Sequence, residues 1–141
     1  MLYSRTAKYG IKALAYLAKT ESKGYQTVDI VANSTDIPTE FLGKIFQSLA
    51  REKLLESQRG RGGGFRLAKA GDEVSLYEVI TLIDSEDVLN RCMFDVKSCG
   101  ENGTCPMHDE WEPIRDQVED LLKQRTVADL SLDQAKSITP P

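Results

Sequence analysis

The sequence predicts a mainly helical fold that carries one small β-hairpin. Apolar residues recur at three- and four-residue steps through most of the first fifty positions, which is the helical pattern. Two strand-like stretches flank a run of arginine and glycine near residue 60, and a second helical pattern follows residue 108. With 141 residues, the chain has the size of one compact domain with an appended arm.

The first two predicted helices are separated by a short break. The first runs from Arg5 to Thr20 with an apolar stripe, and Gly24 ends the segment. Thr27 then stands at an N-cap position with Asp29 in the first turn, so a second helix is expected to begin there. Four turn-forming residues, 33–36, predict the end of that second helix.

A third helix follows at once and has one apolar and one polar face. Pro38 is well placed to open it. Its apolar positions are spaced i, i+3, i+4 and i+7: Leu42, Ile45, Phe46 and Leu49. Two short helices joined by a tight turn are typical of a helix-turn-helix, whose second helix enters the major groove of DNA.

A β-hairpin is predicted directly after the third helix. Leu54–Ser57 and Phe65–Leu67 are typical strands, and the glycine-rich run Arg59–Gly64 connects them. A nucleotide-binding glycine loop is excluded because such a loop must open a helix, whereas a strand follows here. A hairpin in this place indicates a wing, and a purely structural hairpin is the alternative. The predicted fold class is therefore a winged helix-turn-helix, mainly α with a small β wing (α+β).

The rest of the chain divides into further segments. Ser75 begins a capping-box pattern that ends at Glu78, so a short helix is expected to close a DNA-binding domain over residues 1–85. We expect a cysteine-rich, irregular loop over 86–108, a long helix and a final capped turn over 109–130, and a flexible tail over 131–141.

The long helix has a narrow apolar seam and an acidic outer face. Pro113 must lie in its first turn or kink it. A narrow seam predicts a helix that pairs with its twin in a homodimer, and packing onto its own domain is the alternative. The seam residues step by three and four: Trp111, Ile114, Val118 and Leu121.

Charge is distributed unevenly along the chain. Residues 1–70 hold 12 Lys and Arg against 6 Asp and Glu, a net of +6, whereas residues 71–141 hold 6 against 16, a net of −10. The positive half is where a polyanion is expected to bind. The sequence shows neither a long apolar run nor a secretory leader, so we expect a cytoplasmic protein with no membrane association.

Expected DNA contacts follow from these positions. Base contacts are expected near the start and on the outward face of the third helix, from Thr39, Glu40 and Lys44. Contacts with the DNA backbone are expected from the helix ends and the wing: Ser4, Arg51, Arg59, Gly60 and Arg61. A dimer would place two such surfaces on a palindromic double-stranded operator.

Three cysteines and the only histidine of the chain are close together. Cys92, Cys99 and Cys105 fall within 14 positions, and His108 follows three residues later. An odd number of cysteines in a cytosolic context favours metal ligation or thiol chemistry over a disulfide framework. An iron-sulfur cluster, a structural zinc ion and redox-active thiols all suit these residues, although the C-x2-C step typical of zinc sites is absent.

The sequence resembles the Rrf2 family of bacterial regulators over nearly its whole length. The resemblance rests on the opening residues Tyr3–Gly10, the helix Ile37–Leu49, the wing Arg59–Phe65 and the three cysteines. It is strongest to the iron-sulfur cluster regulator branch. It implies a cluster, [2Fe-2S] rather than [4Fe-4S], held by the three cysteines, with His108 as the fourth ligand through its C-x2-H step from the third cysteine.

The sequence departs from that branch at two places. Six residues separate Cys92 from Cys99 where five are commoner, and Gly43 stands where a long polar side chain is usual. In the nitric oxide branch the fourth ligand can be an acidic residue near the N-terminus of the partner subunit, where this chain carries Lys8. The alternative classes of function are a cluster-carrying protein without DNA function and a thiol-redox enzyme. Enzyme activity is not expected, because no nucleophile, base and orienting group can be assembled around one histidine.

Overall fold

The computed structural model describes residues 3–85, 89 and 106–130, and its helices and hairpin confirm the predicted fold class. The helices are α1 (Arg5–Lys19), α2 (Val28–Thr35), α3 (Thr39–Arg51), α4 (Leu76–Asp84) and α5 (His108–Gln124). The antiparallel strands are β1 (Leu55–Gln58) and β2 (Gly64–Leu67), and single 3-10 turns lie at Glu21–Lys23, Gly71–Glu73 and Val127–Asp129. No helix among these described ranges has the length and apolar character to cross a membrane.

Helix α1 lies at the centre of the core. Its run from Gly10 to Leu17 is buried without interruption, and it contacts α2, α3, α4 and the final 3-10 turn. Gly10 is the contact point with α4, because a Cβ there would lie 2.5 Å from Ile83 Cδ1. Helix α1 therefore packs against most of the later elements of residues 3–85, which are called the head below.

The turn between α2 and α3 is closed by the backbone. Asp36 adopts a left-handed conformation with φ 60°, and its amide and that of Ile37 both donate to Ala32 O. This is the hydrogen-bonding arrangement of a helix C-terminus that reverses direction. Ile37 is buried, which fixes the angle at which α3 leaves the turn.

The hairpin is attached to the head at its base. Phe65 exchanges two backbone hydrogen bonds with Gln26, at 2.9 and 2.7 Å, and its ring lies 5.2 Å from that of Phe46 in α3. Gly64 permits this approach, because a Cβ there would clash with the Gln26 carbonyl. The strands pair in the register Leu55↔Leu67 to Gln58↔Gly64, so the loop between them is residues 59–63.

The end of the described chain returns to the head. Ser75 and Thr126 form a β-bridge, and Val127 N donates to Val74 O at 3.0 Å. Val127 is fully buried and Leu122 of α5 is almost so, and both belong to the same core as α1. The last turn thus holds α5 against the head.

Three local expectations need correction. Helix α2 continues through residues 33–35, where a turn was expected, and ends only at Asp36 with its left-handed backbone; the Thr35 side chain is buried there and its hydroxyl donates to Val31 O. Ser75 caps α4 as predicted, but the Glu78 carboxylate pairs with Lys69 at 3.0 Å. Pro113 is the sixth residue of α5 and so lies beyond its first turn. Of the loop predicted over 86–108, residues 86–88 and 90–105 lie outside the described residues, as does the tail over 131–141, and His108 already belongs to α5.

Candidate nucleic-acid interface and cysteine segment

Helix α3 has a buried face and an exposed face. Its four core residues, Leu42, Ile45, Phe46 and Leu49, are at most 4% exposed. The predicted contacts Thr39, Glu40, Lys44 and Arg51 are all exposed. Gln47 is exposed as well, although it was not among the expected DNA contacts. It lies seven residues after Glu40 and three after Lys44, and this spacing puts it on the same face of the helix.

The cations of this surface have no ion-pair partner within the part of the chain that the structure describes. Among the described residues, no carboxylate forms an ion pair with Lys44, Arg51, Arg59 or Arg61. Unpaired, exposed cations suit contacts with phosphates. The next cation along β2 behaves differently: Arg66 hydrogen-bonds Glu56 across the hairpin at 2.9 Å, and this bond raises the pKa of Arg66.

The wing loop projects from the anchored hairpin. Arg59, Gly60 and Arg61 are all exposed at its tip. Gly60 has φ 88° and its carbonyl accepts from Gly63 N at 3.0 Å, which closes the loop tightly. The two arginines are therefore presented on a short loop whose base is fixed to α3 and to Gln26.

Ser4 is held at the start of α1 by a residue from another helix. Its hydroxyl accepts from Ala7 N at 3.0 Å and so caps α1. The Asp84 carboxylate, at the end of α4, accepts from Ser4 N at 2.7 Å and from the Ser4 hydroxyl. This partner could not be predicted from the sequence, because the two residues are 80 positions apart.

Only one of the four predicted metal ligands lies in the described part of the chain. Cys92, Cys99 and Cys105 fall outside it. His108 is the first residue of α5 and is half-buried, with its Nε2 at 3.0 Å from Glu112 Oε2. Within the described residues, no group of three or more His, Cys, Asp or Glu side chains is arranged to hold a metal ion.

The sequence profile of Rrf2, described as an iron-dependent transcriptional regulator, matches residues 3–133. The chain belongs to the Rrf2 family. This Rrf2 protein is a DNA-binding transcription regulator, and both the resemblance given above and the expectation that it is not an enzyme are confirmed.

Individual relatives support the assignment along the whole chain. An HTH-type transcriptional regulator of Aquifex aeolicus is 31% identical over 142 residues, covering 99% of this chain and 98% of that protein. The regulator IscR of Erwinia tasmaniensis is 26% identical, with 95% of this chain and 81% of IscR covered. The structure of CymR, the global cysteine regulator of B. subtilis, superposes with a TM-score of 0.76 at 21% identity, covering 97% of each chain.

Proposed function

We propose that this Rrf2 protein is a homodimer that binds a palindromic operator, and that an iron-sulfur cluster held by Cys92, Cys99, Cys105 and His108 sets its DNA affinity. A [2Fe-2S] cluster is favoured over [4Fe-4S]. One observation carries the cluster proposal: His108 begins α5 directly after the cysteine segment, and its Nε2 lies 3.0 Å from the Glu112 carboxylate.

The donor set fits such a cluster. Thiolates are its usual ligands, and an imidazole that replaces a thiolate raises the reduction potential. Metal-ligating histidines generally have a carboxylate or carbonyl on their second ring nitrogen. Glu112 would be that carboxylate beside His108. When bound, the cluster would supply a link between the cysteines and α5 that depends on redox state and iron supply.

Both ends of the cysteine segment are attached to elements that position the DNA-binding surface. At one end, Asp84 holds Ser4 and the start of α1. At the other end, α5 packs on the head through Leu122 and Val118. A conformational change in residues 86–105 would therefore affect α1 and α5 together. In a dimer, a small shift of the two heads weakens the DNA contacts in both half-sites.

Dimerisation is supported by the outward face of α5. Val118 and Leu122 pack on their own core, whereas Ile114 and Leu121 are 51% and 53% exposed. The exposed pair is seven residues apart, so both side chains lie on one stripe. Large apolar groups on a helix that is otherwise acidic are the expected contact with a second copy of α5.

The proposal is tested on full-length protein purified without oxygen. We expect a sulfide-containing visible chromophore that is lost in Cys99→Ala and altered in His108→Ala. Glu112→Gln should shift its spectrum and reduction potential, and Glu110→Gln, an exposed position two residues earlier on another side of α5, serves as the matched control. Iron, sulfide and zinc are quantified in each sample.

DNA affinity is then measured with duplexes enriched from a random-sequence pool by the native chain. A difference in affinity between the cluster-loaded and cluster-free forms is the expected result. Stoichiometric zinc without a chromophore would indicate a structural zinc site, and colourless protein without metal would leave redox-active thiols. A chromophore in a chain that enriches no duplex would instead indicate a cluster carrier.

A further inference from the structure

Gly43 stands apart from the other glycines of the described chain. Four of them have positive φ: Gly24, Gly60, Gly62 and Gly64. At three more, a Cβ would collide with Ile83, with the Gln58 and Gly60 carbonyls or with Ala18: Gly10, Gly63 and Gly71. Gly43 is in regular helix, and a Cβ placed on it would have no other atom within 4 Å.

The described residues therefore give no reason for this glycine. Glycine is the least helix-favouring residue after proline, and Gly43 is the fifth residue of a thirteen-residue helix. A side chain there would project into open space beside Glu40 and Gln47, which lie one turn before and one turn after it on the exposed side. The reason for the glycine must lie in what this surface meets.

We propose that Gly43 is the position at which the backbone of α3 comes closest to the bases in the major groove. The inference rests on DNA binding through α3 and is independent of what the cysteines hold. An α-helix with its side chains is about 10–12 Å across, and the major groove is about 12 Å wide, so the helix enters deeply only where its leading edge is small.

Because Gly43 has no side chain, the base contacts at this position are expected from its neighbours on the helix. Glu40 and Gln47 flank Gly43 and reach past it on both sides. A glutamate accepts from cytosine N4, and a glutamine bonds adenine N6 and N7. Gln47 is thus a specificity-determining residue, although it was absent from the contacts expected from the sequence.

The test separates stability from DNA affinity. In full-length protein, Gly43→Ala should raise the thermal unfolding midpoint by about 4 °C, because alanine favours the helix. The same substitution should weaken binding to the enriched duplex about tenfold, as loss of one good base contact does. Gly43→Gln should weaken it further, because its side chain is longer. Asp120→Ala, an exposed helix-favouring change in α5, should raise the midpoint without loss of affinity.

Gln47→Ala provides the second arm. Repeating the duplex enrichment with this variant should relax the base preference at one position in each half-site, while affinity for mixed-sequence DNA stays unchanged. Unaltered affinity of Gly43→Ala for the enriched duplex, with a loss for Arg59→Ala, would overturn the close approach and leave DNA binding in place. Failure of the native chain to enrich any duplex would overturn the close approach together with operator binding.

Discussion

Helices α3 and α5 are of similar length but are packed very differently. In α3, four side chains are buried on one face and the opposite face is polar. In α5, Leu122 is the one residue of seventeen that is buried, and two large apolar side chains, Ile114 and Leu121, are half-exposed. Phe41 of α3 is also 40% exposed, but its ring lies 5.4 Å from that of Tyr9 in α1. Helix α3 thus exposes less large apolar surface than α5 does.

This difference separates two kinds of interface. The exposed polar face of α3 covers a core that is already packed. Such a face suits a hydrated, charged partner such as DNA, which binds and dissociates without unfolding the head. An exposed apolar stripe suits a second protein surface that removes it from water. The following predictions are ordered from the largest expected effect to the smallest, and each alters one side of the comparison.

The largest effect is expected in the core of α3. Phe46→Ala removes a fully buried ring that contacts Phe65 in the wing, so the free energy of unfolding should fall by about 3–5 kcal/mol. Urea denaturation measures this change. Gln47→Ala, the adjacent exposed residue, should change stability by less than about 0.5 kcal/mol. A similar loss in both variants would mean that the two faces of α3 are not distinct.

Substitutions at the exposed apolar residues of α5, Ile114 and Leu121, should instead weaken self-association and leave the stability of the head nearly unchanged. Ile114→Glu with Leu121→Glu places two charges in the proposed dimer contact, so self-association should weaken at least about 100-fold, or about 2.7 kcal/mol. Sedimentation velocity reports association, and urea denaturation should show a head of nearly native stability. Gln124→Glu, also exposed on α5, is the control. A double variant that still dimerises would exclude this stripe as the interface.

The cations of the two regions also differ. Those of α5 are paired within the helix, as Lys123 is with Glu119 at 3.3 Å, whereas Arg59 at the wing tip pairs with no described carboxylate. Arg59→Ala should make the slope of log affinity against log salt less negative by about 0.9 for each protomer bound, and should weaken binding by about 1 kcal/mol per protomer. Arg66→Ala is the matched control, since that guanidinium is bonded to Glu56. Equal slopes in both variants would remove Arg59 from the phosphate contacts.

The ends of the two helices give the smallest effect. Helix α3 is followed by Lys53 with φ 65°, a conformation that favours glycine, whereas α5 ends at an extended Arg125. Lys53→Gly should therefore stabilise the protein by about 0.5–1 kcal/mol, and Arg125→Gly should destabilise it slightly. Thermal unfolding of the two variants tests this directly. Destabilisation by Lys53→Gly would show that its side chain matters more than its backbone.

The features that could be predicted from the sequence have local signals. Helical spacing and the N-caps Thr27 and Ser75 were sufficient to find α1 to α4, and the glycine-rich run placed the wing. Two contacts could not be predicted: the bond of Ser4 to Asp84 and the pairing of Gln26 with Phe65. The partners are distant in the chain, and an aspartate or a glutamine in a sequence is normally expected to face solvent. The sequence shows that Gly43 departs from the family pattern, but its physical interpretation depends on the open space around it in the structure.

The metal ligands could be named but not placed. Residue type and spacing suggested Cys92, Cys99, Cys105 and His108, because thiolates and imidazole are restricted to few metal centres. Geometry adds Glu112 behind His108, a partner that the helical i, i+4 spacing could have indicated. The three cysteines and their mutual arrangement stay predictions, as do the individual DNA contacts.

The bond from Ser4 N to Asp84 also provides an internal reporter. The backbone amide of a residue that caps the start of a helix has no partner within that helix, so its proton normally exchanges rapidly with solvent. Here that proton is held by the last residue of α4, immediately ahead of the cysteine segment. Slow exchange at Ser4 would therefore record, at one resolvable site, whether the end of α4 is in place. The first helix of the chain would then register structural events that take place more than eighty positions later.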